Sequence, residues 1–418
     1  MVATAAGSAA EAAAAAAAAS TARVRRWWVG YLVLWACIVW VLWRETQFWV
    51  PRSVAHALQH LPKPSWTVLM VYLTYLLWLV VLGVLLPGYS QKGARLADGS
   101  RLTYKCNGLL IHLVTSAAFV MAGRTGVLDV TFVARHFWTF FATVSLFSLA
   151  FAIYLFVIGQ AYKRRNWFVQ HGLVHDFVIG TELNPHVLGL DVKFFAYRPA
   201  LNGWQLVNLS FLFLQYAEHG EITARMAAYQ LLTGWYVFDY FLNERKMVFT
   251  WDIIAENFGL MLVWGDLAFT TFCFSLQNLF LLNNLRAWPL IEMGATLCTA
   301  VLGYTLFRGA NSQKHAFKED PERPIWGKPP VLIGGKLLAS GYWGWARKIN
   351  FLGDLLLAIS YSLPCGMTNA WAYFYFIYLL LLLLHREMRD HEKCSAKYGA
   401  LWEQYCQAVP ARLLPFVY

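Results

Sequence analysis

Apolar residues run along this chain in long blocks, separated by shorter polar and basic segments. Crossing a hydrocarbon core takes about 20 apolar helical residues. On that measure about ten spans are predicted. They centre near 27–43, 66–86, 107–123, 137–158, 201–216, 226–242, 258–281, 287–307, 351–364 and 370–385. Residues 1–22, mostly Ala, read as a low-complexity disordered tail rather than a cleaved signal peptide. The last span breaks the pattern. Its apolar run, Leu379 to Leu384, meets a dense polar run with no Pro or Gly between them. A helix is therefore expected to leave the bilayer and continue into water. Arg386, Asp390, Cys394 and Tyr398 follow at four-residue steps and so share one slowly drifting helix face. The plain alternative is a solvated helix end in which Glu387, Arg389 and Lys393 make ordinary surface pairs.

The basic residues test this reading. Arg23, Arg25 and Arg26, the 88–106 loop, Lys163, Arg164 and Arg165, Arg245 and Lys246, and the 308–350 segment all fall on one side if every span is real. By the positive-inside rule that side is cytoplasmic, and both termini lie there. Trp66, Trp371 and Tyr373 at span ends fit an aromatic belt.

Composition agrees. Of 418 residues, 59% are hydrophobic and 14% charged, and the mean hydropathy is +0.45. Soluble domains run nearer 45–50% apolar, so the expected fold is all-α, a polytopic integral membrane protein. The net charge of +11 sits in loops, where topology and anionic lipid account for it. No zinc-finger spacing or aromatic RNA-binding motif supports nucleic acid as a partner. Seven dispersed cysteines without a CxxC argue against a disulfide framework.

Several constellations could carry chemistry. The 308–350 segment interleaves Lys314, Lys318, Lys336 and Lys348 with Trp326, Tyr342, Trp343 and Trp345. Cations near rings suit a nucleotide cofactor, and a basic loop lying on anionic lipid is the alternative. No GxGxxG follows a strand and no P-loop occurs, so side chains would have to hold any dinucleotide. Tyr236, Asp239, Asn243 and Glu244 close the sixth span, and Asp266 and Asp354 interrupt two others. Polar groups inside spans mark either pathways or interhelical hydrogen bonds. His56/His60 and His171/His175 have i, i+4 spacing, but a membrane di-iron site needs clustered His-His pairs that this chain lacks, so no metal is expected.

Six stretches together resemble the sterol C14-reductase family, which includes the membrane domain of the lamin B receptor. They are LPGYSQKGARLADGSRLTYKCNGL (86–109), GTELNPHVLGLDVKFFAYRPALNGWQLVNLS (180–210), LMLVWGDL (260–267), FRGANSQKHAF (307–317), LLASGYWGWARKINFLGD (337–354) and HREMRDHEKCSAKYGALWEQYCQAVPARLLPFVY (385–418). His186, Ala200, Lys318 and the ARKIN stretch (346–350) depart from common family forms, which bears on the substrate more than on the fold. The resemblance implies a ten-helix reductase domain over 23–418, with sterol-facing spans mainly within 107–307 and a cytoplasmic-face cofactor region over 308–418. It implies NADPH, held by Lys314, Lys318, Leu338, Trp343, Asn350, Phe351, Arg386, Asp390, Cys394, Lys397, Tyr398 and Tyr405. Tyr236 and Asp390 are the expected catalytic groups, and Tyr236, Asp239, Glu244 and Asp266 the expected sterol-facing ones.

The implied reaction reduces the C14=C15 bond of a sterol that enters from the bilayer, with no obligatory protein partner. An isolated alkene must be protonated before it accepts hydride, so an acid and a water-free site are required. Tyr236 is the expected donor with Asp390 as its partner, because Asp390 paired to Arg386 would be ionised. Rival readings are a C7 or C24(28) sterol reductase, a membrane methyltransferase with a similar tail, and a non-catalytic sterol-binding protein. The membrane is the endoplasmic reticulum in a eukaryote or the inner membrane in a bacterium.

Overall fold

Every predicted span that falls among the described residues is a helix. A computed structural model describes residues 62–95, 99–166, 172–367 and 370–415. The Ala-rich tail, the first span at 27–43, His56, His60 and His171 lie outside the described residues. The principal helices are α1 (Trp66–Leu85), α2 (Gly108–Arg124), α3 (Phe137–Asn166), α4 (Val192–His219) and α5 (Ala224–Leu242). They continue as α6 (Leu260–Leu281), α7 (Leu290–Glu319), α8 (Ile349–Ser362), α9 (Phe374–Tyr398) and α10 (Ala400–Ala408). Among the described residues, four helices are long and apolar enough to cross a membrane: Trp66–Leu85, Phe137–Ala161, Leu260–Leu281 and Leu290–Glu319. The others are shorter or carry more polar groups.

Among the described residues, three two-stranded antiparallel hairpins join helices. The first pairs β1 (Tyr89–Lys92) with β2 (Thr103–Cys106), Tyr89 opposite Cys106. The second pairs β3 (His186–Val187) with β4 (Leu190–Asp191), and the third β5 (Leu332–Ile333) with β6 (Leu337–Leu338).

Buried polar side chains weld the helices, because a polar group inside an apolar bundle must find its partner there. Asn208 of α4 donates to Thr233 Oγ1 of α5 at 3.1 Å, and Asn278 of α6 donates to Asn208 Oδ1 at 2.7 Å. Gln230 donates to Asn278 Oδ1 at 3.0 Å and closes the network. Lys193, fully buried, satisfies the orphan carbonyls at the end of a helical turn by donating to Asp252 O, Ile253 O and Glu256 O at 2.8–2.9 Å. Part of α6, Gly265–Cys273, is wound as a π-helix.

Helices α7 and α8 touch backbone to backbone. A Cβ on Gly303 would lie 2.8 Å from Leu357 N, and one on Gly353 would overlap the backbone of Phe307. Small residues at such a crossing let two helices approach as no larger side chain would. The crossing sets the C-terminal third of α7 beside the start of α8. An α-helix rises about 1.5 Å per residue, so the thirty residues of α7 extend ~45 Å, beyond a ~30 Å hydrocarbon core. Its last turns carry Lys314 and Lys318.

Candidate functional site

The apolar floor of the site comes first. Leu338 from β6, Trp343 from the turn after it, Ile349 at the start of α8 and Ala310 from α7 are buried together. Trp343 is fixed by its indole N–H, which donates to Ala310 O at 2.9 Å. The Lys314 ammonium, one turn past Ala310, lies 4.0 Å from the centroid of that indole ring. The side chain as a whole is exposed, but desolvation of the ammonium by the protein atoms around it, with the like charge of Lys318 adding to it, pushes the Lys314 pKa down to about 8. Asn350 donates to Asn311 Oδ1 at 3.3 Å across the glycine crossing. Phe351 follows it, its ring 5.7 Å below the Lys348 ammonium.

From the other side, α9 supplies the face predicted from its four-residue spacing. Asp390 forms an ion pair with Lys348. Cys394 and Tyr398 pack against Trp402, Tyr405 and Val409, and the Tyr405 hydroxyl reaches Trp343 O at 3.5 Å. Arg386 donates instead to Asp252 Oδ1 at 3.3 Å. The expected Arg386–Asp390 pair is thus replaced by Lys348–Asp390. Four residues apart on one helix, Arg386 and Asp390 can meet, but each finds a partner from another segment. Lys348 belongs to the ARKIN stretch, the one place in this block where the sequence departs from common family forms. Burial and the nearby Lys314 push its pKa down to about 8.

The solvated-end alternative for α9 fails at Glu387. That carboxylate is 2% exposed and accepts from Arg412 Nη1 at 3.2 Å, tying the C-terminal segment down onto the helix. The same segment receives hydrogen bonds from Arg347 N and Lys348 N at its Ala411 and Arg412 carbonyls, at 3.0 and 2.8 Å. Lys397 stands apart, exposed, 5.0 Å from the Tyr398 ring.

The groups at the ends of the inner spans divide in two. Asp239 is ion-paired with Arg308 and accepts from the Tyr304 hydroxyl at 3.1 Å, a clamp between α5 and α7. Glu244 accepts from Gly108 N at 2.7 Å at the start of α2, with Arg198 3.7 Å away. Both carboxylates are committed to holding helices. Tyr236 belongs to the interior, in an aromatic cluster drawn from four helices. Its ring is 5.9 Å from Trp204 and 6.2 Å from Tyr361, and Tyr361 stacks on Tyr375 at 6.0 Å. The charged groups nearest Tyr236 are Asp354, Arg308 and Asp239, whereas Asp390 is held by Lys348. Asp354, which interrupts its span in the sequence, thus joins Asp239 and Arg308 among the charges that act on Tyr236. Asp266, in the π-helix, keeps a buried oxygen without a hydrogen-bond partner among the described residues.

Two chemically distinct regions result. One is a cation-rich region, with Lys314 over the Trp343 ring, Lys348 over Phe351, Lys318 near Lys314 and Arg386 near Lys348. The other is an aromatic interior around Tyr236. The face of α8 that carries Asn350, Asp354 and Tyr361 runs from the first to the second.

The chain matches the model of the "Ergosterol biosynthesis ERG4/ERG24 family" over residues 32–418. It is 43% identical to a Delta(14)-sterol reductase of Arabidopsis thaliana, over 85% of this chain and 97% of that one. It is 38% identical to a Delta(14)-sterol reductase of Methylotuvimicrobium alcaliphilum, over 86% of this chain and 85% of that protein. With the Delta(14)-sterol reductase ERG24 of Candida albicans it shares 36% identity, over 85% and 84% respectively.

Proposed function

The chain belongs to the ERG4/ERG24 family, and from that premise we propose that it reduces the C14=C15 double bond of a sterol with NADPH. The observation that carries the reading is the gathering of four cations, Lys314 over the Trp343 ring, Lys318 and Lys348 near Lys314 and Arg386 near Lys348, at the end of a helix face that leads towards Tyr236. The printed names of the relatives support the substrate class and the bond.

The residues fit a phosphorylated dinucleotide. Lys314 is exposed as a side chain, but protein atoms around its ammonium desolvate it and lower its pKa, and the buried Lys348 is depressed alongside it. An anion seated among them would offset that cost. Lys314, Lys318 and Arg386 would take the phosphates. Asn350, Trp343 and Leu338 would hold the less charged parts, with Tyr398 and Tyr405 closing the far wall. NADPH, when bound, supplies a hydride.

The chain's own groups do the remaining work. The Tyr236 phenol gives its proton to C15, its O–H bond breaking as the C15–H bond forms, and positive charge develops at C14. The ring faces of Trp204, Tyr361 and Tyr375 stabilise a cation, a contact worth about 2 kcal/mol or more when desolvated. Their packing also excludes water that would capture the charge. We place the protein in the endoplasmic reticulum membrane of a eukaryote or the inner membrane of a bacterium, with both termini cytoplasmic.

The test is an NADPH-dependent assay on detergent-purified protein, offered a delta8,14-sterol and a delta5,7-sterol separately, with products identified by mass spectrometry. Loss of the 14-double bond is expected. Reduction of the 5,7-diene alone would overturn the choice of bond, and absence of NADPH binding would overturn the reductase reading.

A further inference from the structure

Asp354 is unexplained by anything above. It lies four residues beyond Asn350 and seven before Tyr361, so the three side chains lie within about 40° of one another around α8. Its Oδ1 is buried and has no hydrogen-bond partner among the described residues. Leaving a carboxyl oxygen so placed is costly unless another group or water visits it. The side chain is half-buried.

Its neighbours define its environment. Arg386 comes from α9 and Arg308 from α7, but Arg386 is engaged by Asp252 and Arg308 by Asp239. Each cation acts on Asp354 from a distance while pairing with another carboxylate. The phenols of Tyr236 on α5, Tyr361 on α8 and Tyr375 on α9 complete the surroundings. A carboxyl group with one open oxygen therefore stands between the cofactor-side cations and the proposed proton donor.

We propose that Asp354 re-protonates Tyr236 after each turnover, linking the buried phenol to water at the cytoplasmic end of α8. The inference rests on Tyr236 being the donor. When the phenol has given its proton to C15, a phenolate is left in an apolar setting. The Asp354 O–H bond breaks, its proton forms the phenol O–H again, and the resulting carboxylate takes a proton from solvent water. No further oxidant or reductant is consumed. Asp354 is on this account a positioning and relay residue, because it acts on Tyr236 and not on the sterol.

The role separates the first turnover from those that follow. In Asp354→Asn, Tyr236 starts out protonated, so one equivalent of product should form at close to the wild-type rate in a rapid-mixing experiment. Steady-state kcat should fall roughly 100-fold, the size typical of a lost general acid, with NADPH affinity changed less than about twofold. Asp354→Glu, which keeps a titratable carboxyl and is the second variant should the amide not fold, should recover part of kcat. Wild-type kcat in Asp354→Asn would overturn the relay. So would equal loss of the first and later turnovers, or a weakened NADPH affinity that accounts for the loss. Tyr236→Phe, run in parallel, separates the two readings. If it is inactive while Asp354→Asn is normal, only the relay falls; if it is active, the donor assignment falls and the relay with it.

Discussion

Lys348, not Arg386, carries the ion pair to Asp390, and so joins the start of α8 to the middle of α9. The pair is mostly shielded, with the Lys348 side chain 11% and that of Asp390 29% exposed. It closes one wall of the cationic site. A double-mutant cycle with Lys348→Met and Asp390→Asn should show coupling of about 1–2 kcal/mol in denaturation midpoints. Additive effects would show that the two side chains do not support one another. Both single variants should raise the KM for NADPH more than that for sterol.

If Lys314 holds a phosphate of the proposed NADPH, cofactor binding should depend on pH. Its pKa in the free protein is about 8, below the 10.5 of an ordinary lysine. As pH rises through 8 the ammonium loses its proton, and with it the attraction for phosphate. Affinity should therefore fall between about pH 7.5 and 9.5. A bound phosphate favours the charged form, so binding at pH 8.5 should take up protons, measurable by calorimetry in buffers of different ionisation enthalpy. Lys314→Arg, permanently charged, should flatten the dependence of Lys314 itself. A pH profile identical to wild type in that variant would remove Lys314 from the site.

The glycine crossing of α7 and α8 should be intolerant of side chains. Gly353→Ala places a Cβ against the backbone of Phe307 and must push the helices apart. Overpacking of this kind costs typically about 1–3 kcal/mol. Because the crossing sets Asn311 beside Asn350 and Lys314 above Trp343, the same variant should weaken NADPH binding. Thermal unfolding and cofactor titration on one preparation check both. Lost stability with unchanged cofactor affinity would mean that the site is positioned by other contacts.

Trp343 contributes a ring under the Lys314 ammonium and an N–H to Ala310. Trp343→Phe keeps a ring and loses the hydrogen bond, whereas Trp343→Leu loses both. Cofactor affinity should fall in that order, by roughly threefold and then tenfold, in line with contacts of about 0.5–1.5 kcal/mol each. Fluorescence titration with NADPH measures this, and equal losses in both variants would leave the ring without a role of its own.

The sequence by itself determined the helices of the described chain, because burying a backbone in lipid requires every N–H and C=O to be paired within the segment. That requirement acts on length and apolarity, both visible in one dimension. The four-residue row from Arg386 to Tyr398 was legible for the same reason: residues on one face of one helix follow from the helix period alone. The similarity to known reductases was carried by contiguous blocks and was equally open to reading. Partners between helices were not. Glu387 reads as a surface charge until Arg412 is folded back onto it. Asp390 reads as Arg386's partner until Lys348 arrives from 42 residues upstream. Asp239 and Glu244 looked alike as charges at a span end and proved to be helix clamps, while Asp354 became the carboxyl beside Tyr236. Charge pairing depends on distance in space, and the packing of helix on helix, such as α7 on α8 at Gly303 and Gly353, sets those distances.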